Sequence, residues 1–443
     1  MTGGVRPNGL RRGDARMTDG LELEIGALAA SAKQASAELA MKGEDERNAA
    51  LQAMADALRD NSGAILEANA CDMSRAREAG TKDSLLDRLM LDEGRIEAMA
   101  SALEDLVALP DPVGVVQMDR EMYNGIRLER VSVPLGVVAM VYEARPNVTA
   151  DAAGICIKSG NACVLRGGSM AAGSNEAIAG VLAEAAARAG MPENSICCVS
   201  TTDRRATDVL MSLRGVVDVL IPRGGAGLIS HCVEASKVPV IETGTGNCHV
   251  YLHESCDKDK AVAIVENAKC RRYGVCNAAE TLLVDESVAA DVLPDVLSAL
   301  ASHGVVMHVD DVAMRIAADA GVDAELLVAA EARDWATEYL APEIAVRCVG
   351  GVREAVDHVN KYGTKHSEAI VAEDAQAADL FCKAVDAAAV YVNASTAFTD
   401  GGQFGLGAEI GISTQKIHAR GPFALDALTS YKYVLHGDGQ TRA

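Results

Sequence analysis

The sequence predicts an α/β fold made of two doubly wound α/β domains and a small β element. Three observations support this prediction. Strand-length apolar runs alternate with helical segments, several of those runs end in glycine or arginine, and the alternation resumes after Cys276. Such alternation is typical of parallel sheets whose faces are covered by helices.

Composition limits the class of protein. The chain has 443 residues, of which 49% are hydrophobic and 23% charged, so it is globular and long enough for two or three domains. A formal net charge of −22 would repel nucleic-acid phosphates. No apolar run reaches the roughly 18 residues of a membrane span. We therefore expect a cytoplasmic protein that binds neither nucleic acid nor membranes.

The twelve cysteines lack the spacing of a disulfide framework or a metal site. No Cys-x-x-Cys pair occurs, Cys197 and Cys198 are adjacent, and no compact Cys/His quartet is present. We expect a reduced protein with mostly inert thiols and no bound metal.

The N-terminal part is expected to be helical after a polar leader. Residues 1–20 hold four arginines and five glycines and are predicted to be a disordered extension. An early start codon and an Arg-rich transit peptide are the alternatives. Leu51, Met54 and Leu58 mark one face of a helix, and similar helices continue to about Leu109.

A ribbon with a period of two follows these helices. Ile126 and Leu128 alternate with charged residues, and Val131 and Val133 continue the alternation after a one-residue slip that suits a β-bulge. Asn124-Gly125 predicts a turn before the ribbon. The ribbon is either an oligomerisation arm or an internal hairpin.

Candidate binding residues first appear where the strand 136–142 ends. Pro146 pushes Arg145 out of helical geometry, and Asn147 follows as either an amide donor to a ligand or a helix N-cap. Further strands of this block are predicted at 162–165, 195–199, 216–221 and 238–241.

Several of these strands end in a basic residue or in glycines. Arg166 follows one strand, and Gly224, Gly225 and Gly227 follow another. This pattern predicts a nucleotide along the carboxyl edge of a parallel sheet. No cluster has the G-x-G-x-x-G spacing, so a dinucleotide would be held without that turn. Tight βα turns explain the glycines equally well.

Cys276 is the candidate nucleophile. It lies between Arg271-Arg272 and an apolar strand at 281–284, and neighbouring cations lower the pKa of a thiol. The alternative is an ordinary buried cysteine. Further strands of this second block are predicted at 305–309, 344–349 and 369–371.

The loop 400–409 contains four glycines. It is either a backbone bent around a ligand at the mouth of a site or a plain surface loop. With two α/β blocks and a reactive loop between them, a cleft between domains is the expected place for the site.

Six segments, in order along the chain, resemble the gamma-glutamyl phosphate reductase family of the aldehyde dehydrogenase superfamily. They are Tyr142–Thr149, Leu165–Gly168, Ile221–Gly227, Gly274–Thr281, Tyr362–Ile370 and Tyr391–Glu409. The resemblance extends from about Leu21 to the C-terminus. Several colinear motifs of this length are highly specific.

The resemblance implies an aldehyde dehydrogenase-like fold with three parts. The cofactor-binding domain would comprise 21–124 and 146–266, and the catalytic domain would comprise 267–424. The small β oligomerisation element would comprise 125–145 and 425–443, which implies a homo-oligomer.

The resemblance also implies the reaction of a glutamate-5-semialdehyde dehydrogenase. NADPH would reduce L-glutamyl 5-phosphate to L-glutamate 5-semialdehyde with release of phosphate, the second step of proline synthesis from glutamate. A glutamate 5-kinase would supply the acyl phosphate and is the candidate transient partner. The rival functions are an acylating aldehyde dehydrogenase that uses a coenzyme A thioester and a paralogue that keeps only the fold.

Roles for individual residues follow from the same resemblance. Cys276 would form a thioester, and Asn147 and the Cys276 backbone N–H would hold the oxyanion. The cofactor residues would be Arg166 near the NADP 2′-phosphate, Gly224, Gly225 and Gly227 along the pyrophosphate, and Glu343 at the nicotinamide ribose.

Substrate phosphate requires cations, and Arg145, Arg271 and Arg272 are the candidates. Glu242 stands where hydrolytic relatives keep a general base, which this reaction does not need, and positioning of the cofactor or of a loop is the alternative role. His366 is expected to be neutral and structural. Two residues depart from the family pattern, since Tyr273 replaces a proline and Arg271 a glutamine.

Overall fold

The computed structural model describes residues 12–143, 145–407 and 409–442, and the chain forms two compact units. The first unit comprises Met1–Glu242 and Ala424–Ala443, and the second comprises Thr243–Phe423.

The helices of the described chain are α1 (Arg12–Leu39), α2 (Glu44–Asp60), α3 (Ser62–Glu78), α4 (Asp83–Leu89), α5 (Glu93–Ala108), α6 (Asn147–Lys158), α7 (Ala172–Arg188), α8 (Arg205–Ser212), α9 (Ala226–Ala235), α10 (Lys258–Cys270), α11 (Glu286–Ser302), α12 (Asp311–Asp319), α13 (Val352–Tyr362) and α14 (Ala375–Ala384).

The strands are β1 (Val116–Glu121), β2 (Arg127–Pro134), β3 (Val137–Tyr142), β4 (Ala162–Arg166), β5 (Ile196–Cys198), β6 (Val219–Arg223), β7 (Cys248–Leu252), β8 (Ala279–Asp285), β9 (Val306–Val309), β10 (Leu327–Ala329), β11 (Glu343–Val349), β12 (Ser367–Val371), β13 (Ala389–Val392), β14 (Ile412–Ser413), β15 (Gly421–Pro422) and β16 (Thr429–His436).

The main sheet of the first unit is parallel, with strand order β5-β4-β3-β6. All four of its strands were predicted from apolar runs, and that prediction is confirmed. The fifth predicted strand, 238–241, is reduced to a single bridge between Val240 and Leu220. Leu21 and Ile25 of α1 pack with Val137 and Val141 of β3 in one core.

Helix α1 begins within the predicted disordered extension. Residues 1–11 lie outside the described residues, but 12–20 are helical. Leu21 and Ile25 are buried in the core and hold the part of α1 that follows residue 20. Residues 12–20 extend this helix towards the N-terminus. Extending an existing helix is far easier than starting one.

The predicted ribbon is part of a three-stranded antiparallel sheet with order β1-β2-β16. The turn at Asn124-Gly125 is confirmed, since Met122 N–H donates to the Ile126 carbonyl and Gly125 has a φ of 79°. The register shifts by one residue between Val116 and Met118, opposite the predicted slip. The extra residue therefore lies in β1 rather than in β2.

The second unit is built on a seven-stranded parallel sheet with order β10-β9-β11-β8-β7-β12-β13. Successive residues of its strands face opposite sides, as the period of a strand requires. Leu282 and Val284 pack with Leu293 of α11, whereas Leu283 packs on the other face with Phe381 of α14. Both faces are covered, so the fold is doubly wound.

The pairing of β7 determines where the second unit begins. It pairs with β8 and β12, so 243–266 belong to the second unit and the chain passes between units at 242/243 instead of the expected 266/267. The strand at 248–252 was not predicted from the sequence. No helix in the described ranges is both long and apolar enough to cross a lipid bilayer.

Candidate active site

Cys276 lies in the loop between α10 and β8, and a buried ion pair closes this loop at its base. Lys269 Nζ lies 2.6 Å from Glu280 Oε2, and neither side chain is exposed. Burial raises the pKa of Glu280 to about 7 and lowers the pKa of Lys269. Desolvation therefore opposes the charged form of both side chains. The pair connects the two ends of the loop.

The backbone carbonyl of Cys276 is held by two neighbours. Cys248 Sγ lies 3.1 Å from this oxygen as a hydrogen-bond donor. Gly246 packs so closely that a Cβ there would lie 1.5 Å from the same oxygen, so only glycine fits. The side chain of Cys276 itself is half-buried.

Asn277 fixes the next residue of the loop. Its buried Nδ2 donates to the carbonyls of Ala397 and Thr399 at 3.3 and 3.1 Å. Its own carbonyl accepts from Thr396 Oγ1 at 2.7 Å. These bonds tie the nucleophile loop to the segment after β13. The loop conformation around Cys276 is therefore determined on both sides.

Most other thiols are poorly suited to nucleophilic chemistry. Burial raises the pKa of Cys197, Cys198 and Cys348 to about 12, and that of Cys232 to about 11. Such thiols carry almost no thiolate near neutral pH. This agrees with the expectation that most of the cysteines are inert.

His366 is buried next to Cys248, the residue that contacts the Cys276 carbonyl. Burial lowers its pKa to about 4, so the ring is neutral near pH 7. Its Nδ1 lies 2.7 Å from Ser367 Oγ and 3.7 Å from Cys248 Sγ. These contacts support the neutral, structural role that was expected for His366.

Glu343 opens β11, which is the direct neighbour of β8. Because both strands run the same way, Glu343 and Cys276 lie at the same amino edge of the sheet. The Glu343 carboxylate accepts a 3.0 Å hydrogen bond at Oε2 from His308 Nε2. Two of the predicted site residues thus lie at one edge of this sheet.

Arg271 and Arg272 follow α10 and are both exposed. Neither guanidinium forms an ion pair with a residue in the described part of the chain. Tyr273, which departs from the family pattern, is half-buried and packs against the core of the second unit.

Asn147 lies in the first unit as the first residue of α6 and is exposed. Pro146 takes the N-cap position, so the alternative role of Asn147 as an N-cap is wrong. The Asn147 Nδ2 donates to Asp151 Oδ2 at 3.1 Å. Burial raises the pKa of Asp151 to about 6. One amide N–H is thus oriented by Asp151, and an amide has a second donor for a ligand.

Arg166 is the last residue of β4 and is largely buried. Its Nη2 lies 3.3 Å from the carbonyl of Asp203, and its Nε has no hydrogen-bond partner among the described residues. Burial lowers the pKa of this guanidinium from its ordinary value. A buried donor without a partner in the protein is open to an acceptor from water or from a ligand.

The turn after β6 brings the predicted glycines against Glu143. The Gly225 N–H donates to Glu143 Oε2 at 3.2 Å, and a Cβ on Gly224 would lie 2.7 Å from the Glu143 carboxyl carbon. Glu143 therefore occupies the N-terminus of α9, which is a usual place for anions. A side chain at Gly227 would meet open space.

Glu143, Gly246 and Lys269 were not predicted as part of the site. Glu143 directly follows β3 and Gly246 lies two residues before β7, and these positions next to strands were the available signal. Arg145, by contrast, was identified and is exposed after β3. Among the residues that the structure covers, no group of three or more His, Cys, Asp or Glu side chains could hold a metal ion.

The glycine-rich loop 400–409 is held by its own backbone. Gly405 and Gly407 have φ values of 73° and 75°, which favour glycine. A Cβ on Gly401 would lie 2.9 Å from the Gly407 carbonyl oxygen, and its N–H donates to Glu409 Oε2 at 2.8 Å. Gly401, Gly405 and Gly407 are therefore required by the conformation of the loop.

Comparison with known proteins identifies close relatives. Residues 15–318 match the model of the aldehyde dehydrogenase family. Gamma-glutamyl phosphate reductase of Thermoanaerobacter pseudethanolicus is 50% identical over 95% of this chain and 100% of its own. The enzyme of the same name from Moorella thermoacetica is 52% identical over 95% of this chain and 99% of its own.

Solved structures give the same result. The crystal structure of gamma-glutamyl phosphate reductase from Thermotoga maritima matches with a TM-score of 0.92 and 45% identity, covering 95% of this chain and 100% of that one. An acetylating aldehyde dehydrogenase from Geobacillus thermoglucosidasius, at 24% identity and a TM-score of 0.67, shares the fold over 98% of this chain and 100% of its own. The chain therefore belongs to the aldehyde dehydrogenase family, within its group of gamma-glutamyl phosphate reductases.

Proposed function

We propose that this protein reduces L-glutamyl 5-phosphate with NADPH to L-glutamate 5-semialdehyde and phosphate, the second step of proline synthesis from glutamate. The observation that carries the proposal is the braced loop of Cys276 in a chain that is about 50% identical, over its length, to gamma-glutamyl phosphate reductases. The activity is that of a glutamate-5-semialdehyde dehydrogenase.

Cys276 is the proposed nucleophile. Its thiolate attacks the acyl carbonyl, and collapse of the tetrahedral intermediate expels phosphate and leaves a thioester. NADPH, when bound, would supply the hydride that reduces the thioester to the aldehyde and restores the Cys276 thiolate. Phosphate leaves without help from water, so the step needs no general base.

Each tetrahedral intermediate carries an oxyanion, for which we assign the Asn147 amide and the Cys276 backbone N–H as donors. Two features support these assignments. The Asn147 amide is oriented by Asp151, and the carbonyl of Cys276 is fixed by Cys248. A preorganised donor of this kind lowers the barrier by about 3 kcal/mol.

The cofactor is assigned to the carboxyl edge of the first sheet. The free Nε of Arg166 is a donor suited to the 2′-phosphate of NADP, which favours NADPH over NADH. Gly224, Gly225 and Gly227 would line the pyrophosphate, although the Gly225 N–H already binds Glu143 and would have to exchange that partner. Glu343 would hold the nicotinamide ribose.

Arg145, Arg271 and Arg272 are the proposed cations for the substrate phosphate. The support is their exposure, together with the lack of carboxylate partners for Arg271 and Arg272 in the described chain. A guanidinium that is not already paired can bind a phosphate through two parallel hydrogen bonds.

We further propose a cytoplasmic homo-oligomer that receives its labile substrate from a glutamate 5-kinase. The oligomer would use the three-stranded sheet, whose strand β16 exposes about half of Tyr431, Tyr433 and Leu435. Exposed aromatic and aliphatic residues on one strand favour association. The domain ranges 125–145 and 425–443 both contribute to this sheet.

The reverse reaction tests the proposal. The protein is incubated with L-glutamate 5-semialdehyde and NADP, with either phosphate or coenzyme A, and NADPH formation is followed. We expect turnover with phosphate only. Turnover that requires coenzyme A would instead support the acylating rival, and the absence of turnover with either would support a protein that keeps only the fold.

A further inference from the structure

A cluster of charges in the second unit is not used by the proposed mechanism. The carboxylate of Asp386 lies 2.9 Å from Lys416 Nζ, 2.8 Å from Arg420 Nη2 and 3.2 Å from Lys365 Nζ. Three cations thus surround one carboxylate in a chain whose net charge is −22. The cluster retains two positive charges that Asp386 does not balance.

The cluster is also incompletely satisfied. Arg420 Nε is buried without a hydrogen-bond partner among the described residues. Lys365 has a φ of 65°, a conformation that costs energy for a residue other than glycine and often marks a binding site. Hydrogen bonds from Lys416, and then from Arg420 and Lys365, hold the pKa of Asp386 well below its usual range. The group therefore stays ionised.

The position of the cluster follows from the sheet. Lys365 precedes β12 and Asp386 precedes β13, just as Cys276 precedes β8. All three residues therefore lie at the amino edge of one parallel sheet. Adjacent strands are about 4.8 Å apart, so the chain entering β8 lies about 10 Å from the chain entering β12 and about 14 Å from the chain entering β13.

A short chain of contacts connects the cluster with the nucleophile loop. Lys416 and Arg420 lie between β14 and β15. The Gly244 N–H donates to the Ile412 carbonyl at the start of β14, and a Cβ on Gly244 would lie 2.6 Å from Thr414 Oγ1. Two residues later, Gly246 packs against the Cys276 carbonyl. The loop that carries two of the cations is thus packed on the segment that supports the nucleophile.

We propose that Asp386, Lys365, Lys416 and Arg420 form the subsite for the α-ammonium and α-carboxylate groups of the glutamyl substrate. This proposal rests on the proposed function. Asp386 would receive the ammonium group, and the cations would receive the carboxylate. Three carbon–carbon bonds separate the α-carbon from the reacting carbonyl carbon, so side chains as long as lysine and arginine bring both charges within reach.

The cluster contains charges of both signs, and this indicates which end of the substrate it binds. A carboxylate at the centre of the cluster repels a phosphate dianion at close range. A zwitterionic amino acid requires one group of each sign. The carboxylate at the centre of the cluster therefore favours the amino-acid end.

Aldehydes that differ only in these charges test the subsite. The ratio kcat/KM is measured with NADP and phosphate for L-glutamate 5-semialdehyde, for 5-oxopentanoate, which lacks the ammonium group, and for pentanal, which lacks both charges. The variants are Lys416→Gln and Asp386→Asn. The matched control is Lys383→Gln, an exposed lysine that pairs with Asp379 on α14.

We expect Lys416→Gln to lower kcat/KM about tenfold for the two carboxylate-bearing aldehydes and to leave pentanal unchanged. Asp386→Asn should lower it for the semialdehyde and leave 5-oxopentanoate unchanged. Inhibition by L-glutamate, which carries both charges, should weaken in both variants. Lys383→Gln should match the wild type throughout.

An equal loss for all three aldehydes, or no loss for any, would overturn the subsite. Such a result in a variant would leave the proposed function intact, because wild-type turnover of the semialdehyde measures that function separately. If the wild type fails to oxidise the semialdehyde with phosphate, the proposed function fails, and the subsite fails with it.

Discussion

The two parallel sheets present their candidate residues at opposite edges. In the first unit, Asn147 and Arg166 lie at or just beyond the carboxyl ends of strands β3 and β4. In the second unit, Cys276 and Glu343 lie at the amino ends of β8 and β11. One sheet therefore follows the usual rule for ligands in α/β folds, and the other does not.

At the carboxyl edge of the second sheet, polar residues have a structural role. Aspartates at or just after the ends of β8 and β9 cap the next helices. Asp285 Oδ1 accepts from the Ser287 N–H, and Asp310 Oδ1 accepts from the N–H groups of Val312 and Ala313. A polar residue after a buried strand thus has a structural role in one sheet and is a candidate for ligand binding in the other.

The largest expected effect concerns the buried pair at the base of the nucleophile loop. Lys269→Met should lower the free energy of unfolding by about 3–5 kcal/mol, because it leaves Glu280 as an uncompensated buried charge. Urea denaturation measures this change. Adding Glu280→Leu to Lys269→Met should recover most of the loss.

The first unit supplies the matched control. Its pair Lys33–Asp218 is partly exposed, with 40% and 27% of the side chains accessible. Lys33→Met should therefore cost less than about 1 kcal/mol. Equal effects in the two units would show that burial does not distinguish these pairs.

The next effect concerns catalysis by a residue of the first unit. Asn147→Ala should lower kcat about 100- to 1000-fold, since it removes an oxyanion donor. Asn147→Asp keeps the size and removes the N–H groups, so it should lose as much. Steady-state kinetics and NADPH titration measure both variants, and binding of NADPH should be unchanged. An active Asn147→Asp enzyme would contradict the assigned role.

Protonation of buried histidines should cost the second unit stability in acid, an effect that the raised pKa of Glu280 in the same unit opposes. Burial lowers the pKa of His366 to about 4 and that of His358 to about 3, and both residues belong to the second unit. The unfolded chain binds protons at these positions near pH 6.5, so stability is complete above that pH and falls as the pH drops towards 4. His366 alone should cost about 3 kcal/mol at pH 4.

Hydrogen exchange at pH 7.5 and pH 5 locates this effect. Between pH 7.5 and pH 5, amides of the second sheet should lose more protection in the wild type than in His366→Gln, whereas those of the first sheet should change equally in both proteins. His366→Gln should weaken the pH dependence. Uniform loss of protection across both units would contradict the assignment to buried histidines of the second unit.

The smallest effect concerns cofactor choice. Arg166→Gln should weaken NADPH binding about tenfold, or about 1.4 kcal/mol, because a cation near the 2′-phosphate is lost. Binding of NADH should change little. Fluorescence titration with both cofactors measures the ratio, and an equal loss for both would place Arg166 elsewhere in the site.

Local patterns were sufficient to predict most of the fold. Apolar runs identified β3, β4, β8 and β11 because those strands are buried on both faces. Strand β7 is equally buried but was not predicted. It follows the glycine-containing segment 242–247, which was assigned to the end of the predicted strand 238–241. Its assignment to the second unit depends on pairing with β8 and β12, which periodicity does not contain.

The candidate site was predicted where a motif contains the residue itself. Cys276, Asn147 and Arg166 were predicted in this way. The residues that support them were not, because their partners are distant in sequence. Glu143 contacts Gly225, which lies 82 residues further along the chain, and Gly246 contacts Cys276. Such contacts exist only in the folded chain.

The central claim is that Cys276 is the nucleophile, and Cys276→Ala tests it most directly. Phosphate-dependent oxidation of L-glutamate 5-semialdehyde and binding of NADPH are measured on the wild type and the variant. We predict that the variant binds NADPH with an unchanged Kd and has no detectable turnover, because it lacks the thiol that would form the proposed thioester. Turnover by the variant at the wild-type rate would contradict the account.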